Sequence, residues 1–200
     1  MAINVANLAA AETEWRSQGY ERIAFYERVP NHREKKPFLT EYSAVHDLML
    51  LGARGRWSLE LTCHGRVTGR NEQLIWGPEA IVLITDRIEE CQEFMQEGLD
   101  FQVGEDGTLV LPSRLPGWHC RIALEGSATH KTTTLSAEGP SCLAFYTNRP
   151  EQDAQRLMEL GGTDFTGCFS MELGDRYLVI AMVRAPSGAI IELIGVKARS

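Results

Sequence analysis

CLAFYTN (Cys142–Asn148), RPEQDAQRLMELGG (Arg149–Gly162), FTGCFSMEL (Phe165–Leu173), RYLVIAMVR (Arg176–Arg184) and AIIELIGV (Ala189–Val196) follow one another almost without interruption. The first is a short apolar run of the strand type. The second carries apolar residues at helical spacing and stops at glycine. The last three are again strand-like and are separated by turn residues. Taken in order they make one β-α-β-β-β unit, and the rest of the chain reads as partial copies of it.

The copies become visible when helical stretches are set one above another. ITDRIEECQEFMQEG (from Ile84) matches YTNRPEQDAQRLMELGG (from Tyr146) with a one-residue insertion. Asp86 then pairs with Asn148, Arg87 with Arg149, Met95 with Met158 and Gly98 with Gly161. VANLAAAETEWRSQG, near the N-terminus, falls in the same frame, with Asn7 as helix cap and Gly19 as stop, twelve residues apart as are Asp86 and Gly98. RIAFYERV (Arg22–Val29), AVHDLMLLGA and RWSLELTC supply strands for this first copy, which lacks a visible leading strand. AIVLITD, LDFQV, TLVLP and WHCRIALEG supply them for the second. The polar stretches Gly65–Gln73 and Ser127–Pro140 read as linkers. The expected organisation is a truncated first module over residues 1–65, a second over 76–126 and a third over 141–196.

Bulk properties narrow the function classes. Of 200 residues 44% are hydrophobic, enough for a sizeable core, and the net charge of −7 disfavours nucleic acid as main partner. The basic cluster HREKK (His32–Lys36) reads as a solvated loop. Five cysteines without a CxxC pair resemble neither a zinc site nor a disulfide framework, which points to a reducing cytoplasm. MAINVANLAAAETEW has neither the basic start nor the apolar run of a signal peptide, and no stretch is long enough to cross a bilayer. Phosphate-binding glycine loops and nucleophile elbows are absent.

The repeat, together with RAPSGAIIELI (Arg184–Ile194), a Pro-Xaa-Gly turn leading into a strand that carries Glu, resembles the vicinal oxygen chelate superfamily. That group includes glyoxalase I, bleomycin-resistance proteins, fosfomycin-resistance enzymes and extradiol dioxygenases. The resemblance implies an α+β fold in which β-α-β-β-β modules form a curved, barrel-like mixed sheet around a cavity, here with the second and third modules as the pair. In that superfamily the metal ligands come from the start of each first strand and from each last strand. Counting back from the caps and forward from the turn glycines, these positions hold Glu79, Ser141, Arg121 and Glu192.

That set disfavours a metal, because a guanidinium has no lone pair to give. Two modules would instead enclose a small organic ligand whose polar groups meet Arg121, Glu79 and Glu192. Glu192 or Glu79 would act as general base and Arg121 as anion stabiliser, with His119, Ser141, Trp118 and Tyr146 as further ligand contacts. One residue of slip would turn Arg121 outward and Cys120 or Ile122 inward. The alternative is a lyase or dioxygenase using Fe, Mn, Ni or Zn held by His46, Glu60 and Glu192, with His64 or His119 in support. A third reading is a non-catalytic assembly or regulatory protein. Because the first module has no partner in this scheme, it would pair across a two-fold axis in a homodimer.

Overall fold

The computed structural model describes residues 1–77, 79–112 and 119–197. The first module comprises β1 (Ala2–Asn4), α1 (Leu8–Ser17), β2 (Glu21–Pro30), a 3-10 helix over Arg33–Phe38, β3 (Val45–Gly52) and β4 (Leu59–Cys63). The second contains β5 (Leu74–Ile75), β6 (Ile81–Thr85), α2 (Ile88–Leu99), β7 (Gln102–Val103), β8 (Leu109–Pro112) and β9 (His119–Gly126). The third contains β10 (Gly139–Tyr146), α3 (Pro150–Glu159), β11 (Cys168–Leu173), β12 (Arg176–Arg184) and β13 (Ile190–Lys197).

Among the described residues the strands form two sheets. An eight-stranded sheet runs β11-β12-β13-β10-β1-β4-β3-β2, and a five-stranded sheet runs β5-β6-β9-β8-β7. The large sheet therefore joins the first and third modules, which corrects the expected pairing of the second with the third. The first module does have its leading strand. β1 is only three residues long, too short for a periodicity to show, yet it pairs parallel with β4 and antiparallel with β10 and so splices the two modules. The edge of β6 that would have met the third module is taken by β5. With the first module paired inside the chain, the argument for a homodimer loses its premise.

Helix starts follow local chemistry. The Asn7 side chain accepts a hydrogen bond from the Ala10 amide at 3.0 Å and caps α1. In the other two copies the cap positions are Arg87 and Arg149, one residue later than the frame through Asp86 and Asn148 predicts. There the hydroxyls of Thr85 and Thr147 accept from the Arg87 and Arg149 amides, both at 3.0 Å, and turn the chain into the helix.

Strand alternation gives the large sheet two apolar faces. Leu59 and Leu61 of β4, Leu143 of β10, and Ile191 and Leu193 of β13 point to its convex side. They share one core with α1, α3, the second module's Ile81, Leu83 and Ile122, and Phe94 and Met95 of α2. Trp15, Tyr20 and Trp76 meet edge to face, with centroids 5.3 Å and 5.6 Å from Trp15, and lock the second module onto the first. Gly98 lies inside α2 rather than ending it, and its bareness lets the Leu157 side chain of α3 pack against the backbone.

The concave side holds a second core of Ala2, Val29, Leu48, Cys142, Phe169, Met171, Leu178, Ile180, Ile190 and Ile194. The two outer strands, β2 and β11, approach where the Tyr26 side chain lies against Gly174, so the sheet curls toward a barrel. Phe38 and Leu135, both buried, cover this face from the 3-10 helix and from the segment before β10. The sequence reads HREKK as a solvated loop and Ser127–Pro140 as a linker. Lys35, Phe38 and Leu135 are instead buried over the concave face.

Candidate functional site

Two carboxylates occupy matching places on the last strands of the paired modules. Glu60 lies between the convex-facing Leu59 and Leu61 of β4. Glu192 lies between Ile191 and Leu193 of β13, so both acids point to the concave side. Between them run β1 and β10, with Ala2 opposite Glu60 and Ala144 opposite Glu192. Glu192 is buried, 5% exposed. Glu60 is partly accessible, and burial and the neighbouring Glu192 charge push its carboxyl up to about 7, with Lys35 and the Met1 amine pulling the other way.

Below this pair, His46 of β3 and His64 just past β4 stack with centroids 4.6 Å apart. Burial keeps both uncharged, holding His46 down at about 2 and His64 at about 4, and the Lys35 charge adds to the effect. Their Nδ1 atoms are buried without a hydrogen-bond partner.

Above the pair, β1 starts at Ala2, and β4 and β10 face one another across a pocket of about 770 Å³. Both faces of the sheet line it. Leu50, Glu60, Ala144, Tyr146 and Ile194 come from the concave side, whereas Trp57, Leu59, Phe145 and Leu193 come from the convex side. The second module adds Leu99, Leu111 and Cys120, and Arg149 and Arg156 stand at the rim. Trp57 and Phe145 meet edge to face with centroids 6.4 Å apart. The Met1 amine is buried in the floor and donates to the Ser58 carbonyl at 2.9 Å; burial lowers its proton affinity.

Several expected site residues lie elsewhere. Arg121 is on the face of β9 opposite the buried Cys120 and Ile122, ion-paired with Asp106 and donating to the Thr108 hydroxyl at 3.1 Å. The one-residue slip is real, and it is Cys120 that reaches the pocket. Glu79 is exposed ahead of β6, and His119 is exposed at the start of β9, so neither joins Glu192. Ser141 is buried on the convex side with Leu143, donating to the Ala2 carbonyl at 3.3 Å, and Cys142 takes the concave place. Tyr146 lines the pocket rim, 73% exposed. Trp118 lies outside the described residues. His46, Glu60 and Glu192 do share the concave face. Sequence reading missed Lys35, Arg149 and Arg156 as contributors to this region. Trp57 was legible as an aromatic ahead of SLELT, whereas nothing in HREKK distinguishes an inward lysine.

A divalent metal needs three or four converging anionic or neutral donors at about 2.0–2.5 Å. The concave face offers the carboxylates of Glu60 and Glu192 and, below them, the stacked rings of His46 and His64, and the Ser141 hydroxyl points away from it. Among the described residues no three His, Cys, Asp or Glu side chains converge in that way. Among the described residues the donors do not fit the metal that the resemblance implies.

No family model and no curated protein matches this chain. Among solved structures, glyoxalase I from Zea mays is similar at 15% identity and a TM-score of 0.41, over 97% of this chain and 66% of its own. An integron cassette protein from the Halifax Harbour sewage outfall is similar at 16% identity and a TM-score of 0.42, over 60% of this chain and 99% of its own. A fosfomycin resistance protein from Mesorhizobium loti is similar at 12% identity and a TM-score of 0.39, over 60% of this chain and 92% of its own. The chain thus spans 66% of the length of the maize glyoxalase I it matches. The fold itself is read from the sheet order, in which two β-α-β-β-β modules share one curved sheet, the arrangement that the sequence resemblance implies.

Proposed function

We propose that this protein binds a small organic molecule, without a resident divalent metal, in the pocket above β1, and that Glu60 exchanges a proton with the bound molecule. The observation that carries the reading is the position of Glu60, whose carboxyl stands at the junction of the concave face and the pocket floor. A volume of about 770 Å³ lies in the range of small-molecule sites, which are mostly apolar with a few placed polar groups. Trp57, Phe145 and Tyr146 offer flat apolar contacts, and the Arg156 guanidinium at the rim favours a ligand that carries an anionic group, whereas Arg149 there is ion-paired with Asp153 at 3.7 Å. A carboxyl with a pKa near 7 is populated in both forms at neutral pH, which suits a general acid or base. With a carbon acid beside a carbonyl as ligand, Glu60 would take the proton and return it, the chemistry of a glyoxalase-like lyase or isomerase. With an unreactive ligand, the same pocket is a sequestering site of the bleomycin-resistance type.

The test uses 8-anilinonaphthalene-1-sulfonate, an aromatic anion, as probe. Wild-type protein is expected to bind one equivalent with quenching of Trp57 emission, and Ala144→Trp, which fills the pocket, is expected to abolish binding while circular dichroism stays native. Equal binding by the filled variant would overturn the assignment of the pocket.

A further inference from the structure

The covering 3-10 helix brings a cation into the half-barrel. A 3-10 helix has three residues per turn, so Lys35 and Phe38 stand on one face, and both are buried, 7% and 0% exposed. The other cations of the segment, Arg33 and Lys36, stay exposed. The Lys35 ammonium sits 5.7 Å from the centroid of Phe169, a residue of the concave core. Lys35 shares the concave side with Glu60, Cys142, His46 and His64, and its charge opposes the upward push of burial on the Glu60 carboxyl.

Two carboxylates turned to one apolar face cost several kcal/mol unless a cation compensates them. We propose that the Lys35 ammonium is the resident cation of the concave face, standing in for the divalent ion that last-strand carboxylates hold in metal-binding proteins of the vicinal oxygen chelate type. The nearby alternatives are engaged elsewhere or weakened as cations. The Met1 amine donates to the Ser58 carbonyl at 2.9 Å, and burial lowers its proton affinity. Arg184, the other buried cationic side chain among the described residues, is engaged by Asp164 and by the Thr133 and Gly188 carbonyls. His46 and His64 are neutral and add no positive charge. A lysine on a short helix needs no loading and cannot be removed by a chelator, so the carboxylate pair keeps its arrangement whatever the supply of metal.

The experiment measures thermal stability and metal content of purified full-length protein, with manganese, nickel and zinc ions as probes. Lys35→Met keeps the stem length and removes the charge. It is expected to lower Tm by about 10 °C, the size expected for breaking a buried charge arrangement in a chain of this length. Adding Glu60→Gln to Lys35→Met should raise Tm by clearly more than Glu60→Gln raises it in the wild type, because only in the Lys35→Met background is the carboxylate left without its cation. Wild-type protein equilibrated with each ion should retain none stoichiometrically after dialysis and show no change in Tm. Stoichiometric metal in the wild type that is lost in Glu192→Gln would overturn the proposal. Equal losses in the single and double variants, including failure of both to fold, would also overturn it, since the loss would then come from packing and not charge. Probe binding in the pocket is a separate readout, so failure here leaves the ligand site standing.

Discussion

The guanidinium carbon of Arg184 lies 5.0 Å from the centroid of the Phe38 ring, and this contact closes the concave face of the large sheet. Phe38 arrives from the first module's 3-10 helix and Arg184 from the end of β12. The same guanidinium donates to the Thr133 carbonyl at 2.9 Å, the Gly188 carbonyl at 3.0 Å and the Asp164 carboxylate at 2.7 Å. One side chain thus fastens both covering segments to the turn before β13.

Removing the ring should open this closure. Phe38→Ala is expected to cost about 3–5 kcal/mol as a fully buried aromatic. In a double-mutant cycle with Arg184→Met the two losses should fall short of additive by roughly 0.5–2 kcal/mol. Urea unfolding of the four proteins provides the comparison, and strict additivity would show that the stacking contributes nothing.

Gly188 gives a sharper test of the same seam. Its φ is +84°, and a β-carbon there would stand 2.1 Å from the Lys131 carbonyl oxygen, which is backbone and cannot swing aside. Gly188→Ala should therefore destabilise by more than about 2 kcal/mol, combining the left-handed penalty with a forced shift of the covering segment. Faster amide exchange at Thr133, whose amide donates to the Gly188 carbonyl at 3.0 Å, would locate the damage.

The raised Glu60 carboxyl makes a signed prediction about pH. The folded protein holds this proton up to about pH 7, whereas the unfolded chain releases it near the ordinary value of 4.5. The Glu60 contribution to stability is therefore present in acid and is lost as pH rises through about 7. Glu60→Gln should be more stable than wild type at pH 8 by on the order of 2 kcal/mol and similar to it at pH 5. Denaturant midpoints at the two pH values decide it.

The histidine pair acts in the opposite direction. His46 and His64 stay neutral in the fold down to about 2 and about 4, while the unfolded chain protonates them near 6.5. Their contribution is present above pH 6.5 and is lost as pH falls toward 4, where it outweighs the single Glu60. His46→Gln with His64→Gln should move the acid-unfolding midpoint, followed by circular dichroism, to lower pH. An unchanged midpoint would mean that these rings are solvated in acid without unfolding.

Arg121→Met should change stability by less than about 1 kcal/mol, since its partner Asp106 is at the surface and exposed pairs contribute little. Probe affinity in the pocket should be unaltered, and a loss there would return Arg121 to the site.

By itself the sequence determined the module: the helices at α1, α2 and α3, the hairpins around them, and Glu192 at its place after the turn glycine. These are set by residues close in the chain, through caps, periodicity and turn chemistry, and such signals survive without a partner. Which modules pair was decided only in three dimensions. Three residues, Ala2–Asn4, splice the first module to the third, and a strand that short carries no periodicity to read. The face of each strand residue was likewise beyond local reading. Arg121 and Ser141 sit one step from Cys120 and Cys142, and a single step reverses inside and outside. Lys35 is the strongest instance. Nothing in HREKK separates it from its neighbours, and its burial follows from the three-residue turn that ties it to Phe38 and from the apolar half-barrel waiting beneath.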